Sequence, residues 1–437
     1  MSRVTLIAHD QVRERMAAPS IRAVEMAREL AVHGHTVTLA IPNQPELDLG
    51  PVRQIRDDVA ELAGVMAGSD VVITGGGPYP QTPLNTPPAH VPHVVDMSFP
   101  LLLEALAMHR VDPGSWPQSR LDMFTSRMTK RVLDADVILC ASREQRQLYL
   151  GWLAALGRLT AHLVEHDPAI DNLVRVAPFG CPAEPPVNTG SGPRHCIPGI
   201  GEGDYLLIWS GNVTDWYDPE TVVRSVLRAA HRVPNVRLVF VGANTQDERL
   251  GRTPTGVRVR ELAGRLDPQG KHVFFWDDWV RYEERADWLL DADAAVIATP
   301  RTLEADLAVR ARFLDYVWCA LPLITTAGGT FADEVARSGS GYVVEPGEVD
   351  GMADAIITMA DDEVRVGMRA RLQAIRPTYE WRRTLAPLID FCARPAFAPD
   401  RGFRRWHLPV GRRAGGTPRI NSVIRRAARR IRTRSPV

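Results

Sequence analysis

The hydrophobic positions fall into short apolar runs separated by segments of helical spacing. Val4–Ala8 reads as a strand. From Ile21 to His33 the apolar residues Ile21, Val24, Ala27, Leu30 and Ala31 recur on one helical face, and Gly34 stops the run. Further strands are predicted at Val37–Ile41, Val71–Thr74, His93–Val95, Val137–Cys140 and Leu173–Ala177. Strand alternating with helix implies a parallel sheet with right-handed crossovers.

The pattern lapses in "CPAEPPVNTGSGPRHCIPGIGEGD", a linker composition. It then restarts. Leu206–Trp209 leads through "SGNVTDWYDP" into a helical run from Glu220 to Val233. Strands follow at Val236–Val241, Val273–Trp276, Ala294–Ala298, Leu323–Thr325 and Gly341–Val344, and a helix at Val349–Ala360. A last helix is read from Tyr379 to Cys392. The fold class is therefore α/β, with two Rossmann-like domains facing across a cleft. The expected boundaries are 1–185 and 205–377 for the domains and 186–204 for the linker. A helix over 378–395 returns toward the first domain, and an Arg-rich tail runs from 396 to 437. Ligands of such sheets bind beyond the carboxyl ends of the strands, which here means the cleft.

Composition changes this picture in three places. The 437 residues carry no net formal charge, yet the last 37 hold twelve arginines and no acid, so the body is at −12 and the tail at +12. In "RINSVIRRAARRIRTR" the residues Ile420, Val423, Ile424, Ala427, Ala428 and Ile431 recur at helical spacing. Arginines including Arg425, Arg426, Arg429 and Arg430 fill the other face. Such a helix reads as binding an anionic membrane surface; a disordered tail, or one folded back on the acidic body, is the rival reading. Nucleic acid is not expected, since only Phe403 and Trp406 could stack on bases there. Five scattered cysteines without a CxxC point to a reducing compartment and no structural zinc. With no apolar run approaching the length of a membrane span, the expectation is a cytoplasmic protein, peripheral on the inner face of the plasma membrane if the tail binds lipid.

The first strand–helix turn has no glycine and the second has only Gly211, so neither carries the dinucleotide fingerprint, and GxxxxGK[ST] is absent. A redox dinucleotide is not expected. A single glycine still permits close backbone approach to a phosphate at a helix start, although an ordinary tight turn explains it too. Arg310 and Arg312 sit two apart at the start of a helical run, where they could grip a diphosphate or pair with neighbouring acids. Asp315 follows and Glu304 precedes them. Asp96 ends the strand "HVVD" with Glu104 eight residues on; it either points into the cleft or caps the next helix. His9-Asp10 ends the first strand with the same two readings. His93, inside a strand, reads as a core residue.

Several of these stretches look familiar together. "WSGNVTDWYDPETVVRSV", "DDWVRYEERADWLLDADAAV" and "RARFLDYVWCALPLIT" resemble the second domain of retaining nucleotide-sugar glycosyltransferases of family 4, in a branch found among bacterial polysaccharide-assembly enzymes. "RMAAPSIRAVEMARELAVHGHTVTL", "VVDMSFPLLLE" and "VAPFGCP" resemble the first domain of that branch. The resemblance implies the GT-B fold, a nucleotide-diphosphate-sugar donor as substrate with no cofactor and no metal, a sugar or lipid-linked acceptor, and retention of anomeric configuration. By position it implies Gly211 and Asn212 at the diphosphate, Trp279 and Val280 at the base, and Arg310 and Arg312 at the pyrophosphate. It also implies Asp315 at the ribose, with Glu304 near the donor sugar and Asp96 facing sugar and acceptor as the catalytic carboxylates. The chain departs from the family pattern in having ten residues between Glu304 and Asp315 rather than seven between two glutamates. It also has Asn-Val-Thr-Asp after Gly211 in place of a basic residue, and Ala17-Ala18 where glycine is common. A nucleotide-sugar epimerase and a non-catalytic partner of the same shape remain as alternatives.

Overall fold

The computed structural model describes residues 1–77, 86–243 and 253–403. The first domain is a seven-stranded parallel sheet of β1 (Arg3–Ile7), β2 (Thr36–Ile41), β3 (Arg53–Arg56), β4 (Val71–Gly75), β5 (His93–Asp96), β6 (Val137–Cys140) and β7 (Val174–Val176), in the order β3-β2-β1-β4-β5-β6-β7. The second is a six-stranded parallel sheet of β8 (Tyr205–Ser210), β9 (Val236–Val241), β10 (Val273–Trp276), β11 (Ala294–Ile297), β12 (Leu323–Thr326) and β13 (Gly341–Val344), in the order β10-β9-β8-β11-β12-β13. In each sheet the first strand of the domain lies inside, and Leu6 pairs with Leu39 as Leu207 pairs with Leu238. These central strands are buried on both faces, which is why they read as unbroken apolar runs.

The strands sit where the apolar runs placed them, to within a residue or two at each end. β3 was not legible: "RQIR" has one buried apolar residue, Ile55, and lies at the sheet edge, where one face of contact suffices. The expected helix over 379–392 is broken. A 3-10 turn at Arg376–Tyr379 is followed by helices Trp381–Thr384 and Ala386–Ala393. Pro387 sits in the first turn of the last one, where its missing N–H costs nothing, and so starts a new helix rather than continuing the old.

The chain returns to the first domain at one point of backbone pairing. Cys181 N donates to Tyr379 O (2.8 Å) and Trp381 N to Cys181 O (3.1 Å). Beyond it the chain stays docked. Ser2 Oγ donates to Cys392 O (2.6 Å), and Arg158 and Asp400 form a buried ion pair at 2.8 Å. Arg401 is held on the body as well, paired with Asp136 and donating from Nη2 to Ala89 O (2.6 Å). Arg425, Arg426, Arg429 and Arg430 lie outside the described residues. The linker is not loose either: Thr189 Oγ1 donates to Asp287 (2.7 Å) and Arg194 Nη2 to Asp293 (2.8 Å), tying it to the second domain. The two sheets face each other across a seam closed by Tyr282 N to Glu14 O (2.7 Å) and Gln145 Nε2 to Leu307 O (2.9 Å).

Candidate active site

Between the domains lies a cavity of about 370 Å³, beyond the carboxyl ends of β8, β9 and β10, within the roughly 300–1,000 Å³ usual for small-molecule sites. The order of strands fixes the order of its wall. Trp279 and Val280 follow β10, Gly242 follows β9, Gly211 and Asn212 follow β8, and Arg310 to Asp315 follow β11. Seven of the residues singled out in the sequence therefore line one cleft: Gly211, Asn212, Trp279, Val280, Arg310, Arg312 and Asp315.

Gly211 has φ +95°, a left-handed conformation that a side chain would strain, and a Cβ there would lie 3.0 Å from Arg312 Nη2. The strand end and the guanidinium are thus in contact because position 211 has no side chain. Arg312 donates from Nη2 to Asn212 O (3.3 Å) and lies over the Tyr217 ring at 4.6 Å, while its Nη1 is buried with no hydrogen-bond partner. A buried guanidinium nitrogen without an acceptor is costly and uncommon.

Arg310 is different. Its two Nη atoms each donate to one oxygen of Glu304 at 2.7 Å, and it lies over the same Tyr217 ring at 4.8 Å. This pair is almost wholly withdrawn from water; burial lowers the Arg310 pKa, but Tyr217 and then Glu304 hold its guanidinium well above the ordinary value. Glu304 is not among the cleft-lining residues; it sits behind Arg310. Asp315 accepts from Arg285 Nε at 2.9 Å, and Arg285 is stacked 3.7 Å from the Tyr282 ring.

The opposite wall comes from the first domain: Asp10 and Met16 to Pro19 after β1, and Phe99 to Leu101 with Glu104 after β5. Asp96 is not part of this wall. Its carboxylate takes Arg22 Nε (2.7 Å) and Nη2 (3.3 Å), together with the Ser98 hydroxyl. Arg22 is fully buried and also donates to Ala177 O (2.8 Å) and Pro178 O (2.9 Å). Neither sequence reading of Asp96 fits these partners: it neither lines the cleft nor caps the next helix, but ties β5 to the helix Ala18–Val32. Of the His9-Asp10 pair, burial and the Arg131 charge push His9 down to about 3, so it is neutral, while Asp10 lines the cleft with its carboxyl raised by burial. Glu104 is held up to about 8, first by burial and then by the Glu304 carboxylate, against the pull of Arg310.

Two functional candidates were missed in the sequence. Tyr217 carries both arginines, and its signal was its place in "DWYDP". Gly242, with φ +65°, lets the Trp279 indole come to 3.8 Å of where its Cβ would be; a lone glycine after a strand gave too little to single it out.

The same architecture occurs in solved structures. Sucrose-phosphate synthase (tll1590) from Thermosynechococcus elongatus matches with TM-score 0.57 and 16% identity, over 90% of this chain and 98% of that one. WaaG, a glycosyltransferase involved in lipopolysaccharide biosynthesis, matches with TM-score 0.58 and 14% identity over 90% and 100%. Anabaena Alr3699/HepE, solved in complex with UDP-glucose, matches with TM-score 0.62 and 12% identity over 89% and 98%. No curated protein sequence matches the chain. These likenesses give the chain the GT-B fold of glycosyltransferases. Residues 204–362, the second domain with the Gly211–Arg312 wall, match the family model "Glycosyl transferases group 1". Among the described residues no helix is long and apolar enough to cross a membrane.

Proposed function

We propose that the protein is a retaining, metal-independent glycosyltransferase that moves a sugar from a nucleoside-diphosphate donor to a sugar or lipid-linked acceptor. The observation that carries this is Arg312: a half-buried guanidinium, seated on Gly211 in the wall of a two-domain cleft, whose Nη1 has no hydrogen-bond partner among the described residues. A diphosphate oxygen is the acceptor that such a nitrogen lacks, and its charge is the charge the guanidinium opposes.

The strand order supports the rest of the proposed pose. The base lies toward Trp279 and Val280. The ribose lies near Asp315, whose Oδ1 is held by Arg285 and whose Oδ2 can take a hydroxyl. The diphosphate lies on Gly211, Asn212 and Arg312. Arg310, bound to Glu304, adds a fixed cation–anion pair beside the leaving phosphate; Glu304 orients Arg310 and reaches the sugar through it. Asp96 holds the first-domain wall through Arg22. Breaking the sugar–phosphate bond puts negative charge on the diphosphate, and preorganised donors stabilise it where it develops. The acceptor's proton passes to the departing phosphate oxygen as the new bond forms on the same face, which requires no separate nucleophile. Donors fixed in this way do the neutralising work that a metal does elsewhere.

The membrane part of the proposal rests on sequence alone. With Arg425, Arg426, Arg429 and Arg430 against an anionic leaflet, the enzyme would work at the cytoplasmic surface on polysaccharide or glycolipid assembly. Flotation with anionic liposomes, comparing the full chain with one ending at Phe403, tests it; equal behaviour of the two at low salt rules it out.

The activity itself is tested by incubating purified protein with UDP-, GDP- and ADP-sugars, with and without acceptor sugars and EDTA, and reading products by NMR. The proposal expects hydrolysis or transfer with the donor's anomeric configuration kept and with EDTA present. A sugar epimerised while still attached to the nucleotide would show the epimerase instead. No turnover of any donor would show a non-catalytic protein.

A further inference from the structure

The strand order of the second sheet gives the cleft a direction. Passing from β10 through β9 and β8 to β11, its wall runs from Trp279 through Gly242 and Gly211 to Arg310. A nucleotide sugar laid along it with its base at Trp279 and its phosphates at Gly211 carries its sugar to the Arg310 end. There the first domain supplies one polar side chain from its helix Leu101–Val111, and this is Glu104. Its surroundings are unusual for a carboxyl. The side chain lies deep in the seam and faces the cavity, and its carboxyl makes no hydrogen bond to a described residue. The one cation that bears on it, Arg310, is already committed to Glu304 by two 2.7 Å hydrogen bonds. A half-buried carboxyl in the cavity wall with no hydrogen-bond partner among the described residues is left to water until a ligand group takes its place.

We propose that Glu104 determines specificity for the transferred sugar, donating a hydrogen bond from its carboxyl O–H to a sugar hydroxyl at the Arg310 end of the cleft. The inference rests on the proposed nucleotide-sugar reading and adds to it the residue that reads the sugar. The charge state agrees with the geometry. The groups bearing on Glu104 are Glu304 and Arg310 across the seam, and its charge in turn bears on the buried Tyr149 of its own domain, whose hydroxyl donates to Met97 O. With its carboxyl raised to about 8, Glu104 is a donor at neutral pH and becomes acceptor-only above that value. An ionised Glu104 beside Glu304 would repel the departing diphosphate; a neutral one does not. Its place at the Arg310 end of the wall, beyond the phosphates at Gly211, makes its partner a hydroxyl of the sugar.

The test separates sugar from nucleotide. UDP, GDP and ADP, and their glucose conjugates UDP-glucose, GDP-glucose and ADP-glucose, are titrated calorimetrically into wild type, Glu104→Gln and Glu104→Ala at pH 7 and pH 9, with thermal unfolding as the check on the fold. Gln keeps a donor of similar reach. Nucleoside diphosphates should bind all three proteins alike. The sugar conjugate should bind Glu104→Ala about 3- to 10-fold more weakly than wild type, the range for loss of one neutral hydrogen bond, and Glu104→Gln nearly as wild type. Wild type should lose affinity for the conjugate between pH 7 and pH 9, and Glu104→Gln should not. If nucleotides bind but the conjugate binds wild type and Glu104→Ala equally, Glu104 does not read the sugar and the donor-site reading stands. If no nucleotide binds wild type, both fall. Loss of nucleoside diphosphate binding in Glu104→Ala alone would show a role in shaping the seam and would overturn the specificity reading.

Discussion

The chain begins a strand–turn–helix unit twice, at residue 3 and at residue 205, and the two beginnings present positive charge to the cleft by different means. After β8, the helix Pro219–Ala229 opens under its own cap: Asp218 accepts from Thr221 N (3.1 Å) and Thr221 Oγ1 (2.6 Å), and Glu220 sits in the first turn. Its positive end is neutralised before any ligand arrives. After β1, the helix Ala18–Val32 opens at Ala17 with no side-chain cap and no acid in its first turn, and Ala17, Ala18 and Pro19 line the cavity. The first turn of that fifteen-residue helix, with the positive end of its dipole, lines the cleft. The expectation that the helix after Gly211 would present its amides to the diphosphate is therefore corrected. In the second domain the positive charge is a side chain, Arg312. In the first it is a helix end.

Each way of breaking this comparison has its own size. Largest is the ion pair behind the second-domain wall. Glu304→Ala leaves Arg310 buried and uncompensated, and should cost about 3–5 kcal/mol in urea unfolding. The double substitution with Arg310→Ala should cost clearly less than the two singles summed, because the stranded charge is gone. Next is Arg312→Ala, which removes a charge-assisted contact worth about 1.5–3 kcal/mol. Donor affinity by calorimetry should fall roughly 10- to 100-fold, with circular dichroism unchanged. Third, Asp218→Ala removes the second helix's cap and should lower stability by about 1 kcal/mol. It should leave donor affinity unaltered, since the capped end does not touch the ligand; a large affinity loss would mean that this helix does serve the phosphate. Smallest is Ala17→Asp. A new cap on the first helix should raise its stability, while neutralising its dipole should weaken diphosphate binding by about 0.3–1 kcal/mol. If thermal unfolding rises and affinity does not fall, the first helix end is not part of the anion site.

How much of this could be read from sequence follows from what each residue does. Strands such as Leu206–Trp209 are buried on both sides and announce themselves as apolar runs. Arg53–Arg56 pairs along one edge only and does not. The pairing of Rossmann-like units was legible because it repeats, and Gly211, Arg310 and Arg312 because a glycine after a strand and two arginines before a helix have few uses. Their division of labour was not legible. Nothing in the spacing of Glu304, Arg310 and Arg312 shows that one arginine is consumed by Glu304 and the other left with an Nη1 that has no partner among the described residues. That depends on Glu304 folding back in the short helix Leu303–Leu307. Asp96 misled for a similar reason: the strand end aimed it correctly, but its partner Arg22 comes from 74 residues earlier in the chain. Glu104 was visible as an acid eight residues beyond Asp96, and only the closed seam shows what surrounds it.

The central claim is that Arg312, on Gly211, is the anchor for a nucleotide diphosphate. The most direct measurement is calorimetric titration of UDP, GDP and ADP into wild type and Arg312→Ala at two salt concentrations. The account predicts that at least one nucleotide binds wild type, that binding weakens as salt rises, and that Arg312→Ala loses at least about tenfold in affinity together with much of the salt dependence. Binding that is the same in both proteins, or no binding to wild type at millimolar nucleotide, would contradict it.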